Sequence, residues 1–132
     1  MGSSATLGQR NNNPLNIRYN VMNKWRGQVG SNAGFCVFSE KAYGYRASFI
    51  NLRTYHRRGI NTLRTIINTW APPTENNTFE YIRFVAEKTG INPDAKLTFS
   101  FVQYAPIVRA MAILESRLDP TTAELKTAFD MI

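Results

Sequence analysis

From about Ala42 onward, apolar residues recur at spacings of three and four, and the chain reads as a succession of amphipathic helices. Tyr45, Phe49, Leu52 and Tyr55 form one stripe, with Arg46, Asn51 and Arg53 off it, and Gly59 stops the helix. A second helix begins at Asn61 or Thr62, carries Leu63, Ile66, Ile67 and Trp70, and ends before Pro72-Pro73. The third opens at Asn77 as N-cap, with Glu80 three residues on as its capping-box partner. It carries Phe79, Ile82, Val85 and Ala86, and Gly90 is its C-cap. After the Asn92-Pro93-Asp94 turn, Thr98 to Arg117 reads as helix again, kinked or split by Pro106. One more short helix is expected after Pro120.

Before Ala42 the helical period is missing. Residues 1–10 are expected to be a disordered lead-in, and residues 11–132 a single domain. Asn11-Asn12-Asn13-Pro14-Leu15-Asn16 is dense in turn formers, and Asn13 before Pro14 is pushed away from helix. Ile17 to Phe38 mixes Gly27, Gly30 and Gly34 with aromatic residues, which predicts irregular chain and a small hairpin ending in Phe35–Phe38. The expected class is mainly α (α+β).

Composition adds limits. The 132 residues suffice for one real core. Hydrophobic and charged fractions of 43% and 19% are those of an ordinary globule, and no stretch has the length of a membrane span. Met1–Gly8 has neither a basic n-region nor an apolar h-region, so no secretory signal is expected, although Gly2 and Thr6 formally match a myristoylation pattern. The single Cys36 lies in an apolar run and reads as a buried small hydrophobe, compatible with a bacterial cytoplasm or a virion assembled there.

The formal charge of +7 calls for a polyanion as partner. Arg10, Arg18, Lys24 and Arg26 all precede the first acid, Glu40, and Arg53, Arg57, Arg58 and Arg64 cluster around a helix junction. Nucleic acid is one candidate and the bacterial wall another, but no nucleic-acid-binding signature accompanies the arginines. The one histidine, His56, has no second ligand or nucleophile beside it, and reads as a surface or packing residue. No cofactor or metal is expected, because no His, Cys and carboxylate set has ligand spacing.

Only nine carboxylates exist. Three occupy positions that invite chemistry: Glu40 at a strand-to-helix junction, Glu75 in the loop Trp70-Ala71-Pro72-Pro73-Thr74-Glu75-Asn76-Asn77-Thr78, and Glu115. The run Ala110–Glu115 places one acid at the end of an apolar helix, where burial raises a carboxyl pKa. A carboxylic acid held protonated near neutral pH suits cleavage of a glycosidic bond. Whatever completes such a site must come from earlier in the chain.

Residues Asn11–Arg18 (NNNPLNIR), Trp25-Arg26-Gly27-Gln28, Gly34–Phe38, Gly44-Tyr45-Arg46-Ala47 and Trp70–Thr78 together resemble a family of phage and prophage proteins. These are usually described as virion structural proteins, some of them suspected of being lysozyme-like. In addition, Ala110–Pro120 is similar to the helix of lytic transglycosylases and related muramidases that ends in Glu-Ser. In those enzymes an Asn-rich turn and a small aromatic β region follow the catalytic helix; here they precede it, the order that a circular permutation gives.

The resemblance implies a lysozyme-like helical domain with a small β-hairpin, acting on peptidoglycan glycan strands. Glu115 would be the general acid at the bond between N-acetylmuramic acid and N-acetylglucosamine, with the substrate's acetamido group or C6 hydroxyl completing the reaction. Asn13, Asn16, Tyr19 and Tyr104 would hydrogen-bond or stack the sugars, and Glu75 with Asn76 is the fallback acid site. The glycine that follows Glu-Ser in those enzymes is Arg117 here, expected to narrow or charge the cleft, and the Gly-Leu-Met-Gln string of many members is absent. The permuted order requires residues 11–18 to lie beside Glu115. The rival from another class is a non-catalytic basic virion or assembly protein that binds nucleic acid, capsid, other virion proteins or wall.

Overall fold

The computed structural model describes residues 4–132, which leaves the sequence expectations for Gly2 outside the described residues. Its elements are α1 (Leu7–Arg10), β1 (Gln28–Asn32), β2 (Phe35–Phe38), α2 (Lys41–Arg57), α3 (Leu63–Trp70), α4 (Thr78–Thr89), α5 (Phe101–Ser116) and α6 (Thr122–Phe129). The architecture is mainly α with one small antiparallel hairpin. No described helix is long and apolar enough to cross a membrane.

The central element is α5, apolar on most sides and buried at Tyr104, Ile107, Val108, Met111 and Ala112. Around it pack Phe49 and Leu52 of α2, Leu63, Ile66 and Ile67 of α3, Val85 of α4 and Leu125 of α6. Each such large side chain contributes about 1.5–3 kcal/mol through burial. Pro106 neither splits nor ends α5. Pro106 and Val102, whose carbonyl it leaves unpaired, are both exposed, where water can take that carbonyl.

Two other expectations change. Along α4 the buried positions are Thr78, Tyr81, Ile82 and Val85, whereas Phe79 is 70% exposed. The stripe runs one step from where Phe79 suggested. Asn77 does cap the helix by accepting the Glu80 amide, but the Glu80 carboxylate pairs with Arg83 at 3.5 Å instead of returning to Asn77.

The lead-in is also ordered in its second half. Residues Leu7–Arg10 form a helical turn with a Thr6–Gln9 capping box, so disorder does not describe them. The reason is tertiary. Thr6 Oγ1 and Gln9 Nε2 both donate to the Ser116 carbonyl at 2.9 Å, and so cap the C-terminal end of α5. Gly8 is needed there, because a Cβ would lie 1.8 Å from Ser116 Oγ.

Candidate active site

The asparagine run works as a set of backbone devices. Asn12 and Asn16 hold left-handed backbone, at φ 51° and 52°, which asparagine tolerates better than most residues. The Asn13 side chain is wholly buried: Nδ2 donates to the Ile17 and Cys36 carbonyls at 2.9 and 3.0 Å, and Oδ1 accepts the Ile17 amide. The run therefore ties the turn to β2, and Tyr19 and Cys36 amides extend the tie to Gly34 and Ile17 carbonyls. Gly44 lets α2 press against the turn, since a Cβ there would lie 2.5 Å from the Asn12 carbonyl oxygen.

This packing delivers Asn16 to the end of α5. Asn16 Nδ2 donates to Glu115 Oε1 at 3.1 Å and to the Glu115 carbonyl at 3.3 Å. The juxtaposition that the permuted order requires is present. From α4, the Tyr81 hydroxyl donates to Glu115 Oε2 at 3.0 Å. Ser116, next in the chain, is fully buried and donates to the Pro14 carbonyl at 2.7 Å, so it fixes the turn against the helix end.

The Glu115 carboxyl is pushed above the ordinary carboxylate value by burial. Hydrogen bonds from Asn16 and Tyr81 and the positive field of Arg18 oppose the shift without cancelling it. Burial and the neighbouring Glu115 carboxylate hold the Tyr81 phenol protonated, so it remains a donor.

Glu115 faces a groove of about 720 Å³. Amides line it (Asn16, Asn20, Asn23, Asn51, Asn76), as do aromatic rings (Tyr19, Trp25, Phe35, Tyr55, Trp70), with Arg18 and Glu75 as the other charges. A second depression, of about 390 Å³, shares Glu115 and Asn76 and continues past Tyr81 and Phe84. The acid thus lies where two depressions meet, a layout with room for an extended ligand on both sides of Glu115.

Of the residues expected to form the site, Asn16, Tyr19, Glu75, Asn76 and Glu115 all line this groove. Asn13 and Tyr104 do not, and both need correction. Asn13 spends its side chain on backbone partners, and Tyr104 is fully buried in α5 beside His56, whose Nδ1 lies 3.3 Å from the phenol oxygen. His56 packs against Tyr104 and Phe99. Cys36 is 1% exposed, a buried small residue. Glu40 is the N-cap of α2 and lies outside the groove lining. Arg117 does not line the cleft either; it is exposed and adopts φ 55°, the left-handed C-cap position at which glycine is favoured.

Tyr81, which donates to Glu115, and Arg18, which lines the groove, are the positions beside the acid that sequence reading missed. A signal for Tyr81 existed: Thr78, Tyr81, Ile82 and Val85 follow the i, i+3, i+4, i+7 spacing of one helix face. Arg18 pairs loosely with Glu75, at 3.7 Å, and lies 5.3 Å from the Phe35 ring centre. Among the described residues, no group of three or more His, Cys, Asp or Glu side chains is placed to hold a metal ion.

No family model matches the sequence. The chain is 37% identical over 134 residues to "Protein P5" of Pseudoalteromonas phage PM2, an alignment that covers 97% of this chain and 82% of that protein. Identity of that extent across nearly the whole chain places it in the same family: the chain belongs to the family of phage proteins that includes Protein P5 of phage PM2.

Proposed function

We propose that this protein is a peptidoglycan-cleaving glycosidase, a muramidase or lytic transglycosylase with a permuted lysozyme-like domain, and that Glu115 is its general acid. The observation that carries the reading is the setting of Glu115: a half-buried carboxyl of raised pKa, held between Asn16 and Tyr81, at the meeting point of two depressions lined with amides and rings. Amides and aromatic faces suit N-acetylated sugars, and a positioned acid contributes on the order of 10²–10⁴ in rate. When Glu115 gives up its proton to the glycosidic oxygen, both carboxylate oxygens already have donors, so the conjugate base is not left unpaired. It can then take a proton back from water or from a substrate hydroxyl.

Asn16, Tyr19 and Asn76 bind the sugars, and Glu75 supplies the second carboxylate of the groove. In a phage setting, the natural location of such an activity is the virion, with cell wall as target. Turbidity clearing of purified peptidoglycan tests this. Wild type is expected to clear it and Glu115→Gln to lose the activity; clearing that survives Glu115→Gln but not Glu75→Gln moves the acid to Glu75.

The second reading, a non-catalytic basic virion or assembly protein, draws on a separate observation. Arg57 and Arg58, at the end of α2, are exposed, and no described carboxylate pairs with them. A wild-type protein that clears no peptidoglycan but shifts DNA with a steep salt dependence favours that reading.

A further inference from the structure

Arg18 is the one cation among the residues that line the groove. Its situation differs from that of the other paired arginines. Arg64 gives Asp94 two hydrogen bonds, at 2.7 and 3.1 Å, and Arg109 likewise makes two to Asp119. The Arg18 guanidinium instead stands 3.7 Å from Glu75, beyond hydrogen-bond reach, and its side chain is 70% exposed. Among the described residues, none accepts a hydrogen bond from that side chain. Phe35, against which the guanidinium rests, limits its freedom and leaves the donor fork open to the groove. Arg18 and Glu115 line the same groove, so a ligand at the acid comes within reach of the charge.

A planar fork of unused donors, fixed on a ring in a cleft of amides and rings, matches a carboxylate carried by a sugar. We propose that Arg18 is the specificity-determining residue of the groove: it binds a carboxylate substituent of the glycan next to the bond at Glu115, and so selects anionic strands over neutral ones. This rests on the glycosidase reading above. In peptidoglycan the carboxylate has two sources, the free lactyl ether of a peptide-stripped strand or the acidic residues of an attached stem peptide. Glu75 serves as a placeholder anion, exchanged for the substrate's carboxylate on binding.

The test is binding to the Glu115→Gln protein, which removes turnover, by calorimetry or NMR titration with three tetrasaccharides. Two alternate N-acetylglucosamine and N-acetylmuramic acid, one with free lactyl groups and one with stem peptides; the third is neutral tetra-N-acetylchitotetraose. At least one anionic ligand is expected to bind about tenfold tighter than the neutral one, the size of one charge-assisted bidentate contact after solvent screening. Which of the two is preferred identifies the source of the carboxylate. Adding Arg18→Gln is expected to abolish the preference while leaving chitotetraose affinity unchanged, and Arg18→Lys to restore part of it. Equal affinity for all three ligands, or a preference that survives Arg18→Gln, overturns the assignment of Arg18 and leaves the glycosidase reading standing. No binding to any of the three overturns both.

Discussion

Asn16 and Glu115, ninety-nine positions apart, are joined side chain to side chain: Asn16 Nδ2 donates to Glu115 Oε1 at 3.1 Å. The bond links the turn at the front of the chain to the end of its central helix, and it bears on the acid's chemistry. A donor to the carboxylate favours the ionised form, so Asn16 and Tyr81 restrain the upward shift that burial imposes.

Removing either donor should therefore move the Glu115 pKa further up. Asn16→Ala and Tyr81→Phe are each expected to shift the alkaline limb of the pH–rate profile to higher pH, because the acid must be protonated to act. Carbon-13 NMR titration of the Glu115 carboxyl reads the same change directly. A limb that stays in place or moves down in both variants contradicts the role given to these donors.

Stability should carry the opposite signature of the same burial. Unfolded Glu115 ionises near 4.5, while the folded carboxyl keeps its proton to higher pH. Its contribution to stability is thus complete below that value and is lost as pH rises through the folded pKa. Glu115→Gln, which cannot ionise, is expected to melt at a higher temperature than wild type at neutral pH, with the gap closing toward pH 4. Thermal melts across that range check it, and a variant less stable at neutral pH than at acid pH, relative to wild type, would count against it.

The contact between Gly8 and Ser116 should behave as a steric pair. Gly8→Ala places a methyl 1.8 Å from Ser116 Oγ and 2.9 Å from the Asn13 carbonyl oxygen, and is expected to destabilise by about 1–3 kcal/mol. Combined with Ser116→Ala, the loss should be smaller than the sum of the two single losses, a coupling that chemical denaturation measures. Additive losses would show that α1 does not dock on Ser116 as described.

At the helix end, Arg117→Gly should be harmless or helpful. The position is left-handed, at φ 55°, and its exposed side chain is not part of the groove lining. A gain of about 0.5–1 kcal/mol is expected from relief of backbone strain, with activity unchanged. A marked change in peptidoglycan cleavage would return Arg117 to the cleft.

The helices were legible because local signals define them: stripes in α2 and α3, the Asn77 cap, and Gly59 and Gly90 as stops. What stayed hidden depends on distant partners. The four residues of α1 carry only the Thr6–Gln9 capping box as a local signal, and the turn is held in place by the Ser116 carbonyl. Pro106 reads as a break until Val102 is found exposed beside it. Glu115, Asn16, Tyr19, Glu75 and Asn76, which line the groove, were reachable from the stretches that carry them: the helix ending in Glu-Ser, the Asn-rich turn with the segment after it, and the Pro-Pro loop. Asn13 and Tyr104 were misread for one reason: a polar side chain in sequence does not reveal whether backbone, another side chain or a ligand satisfies it.

The central claim is that Glu115 protonates a glycosidic oxygen, and the products of the reaction test it most directly. Mass analysis of fragments released from purified peptidoglycan should find disaccharide-based muropeptides with wild type and none above background with Glu115→Gln at equal, folded protein concentration. Fragments released equally by Glu115→Gln, or none released by wild type, would contradict the account.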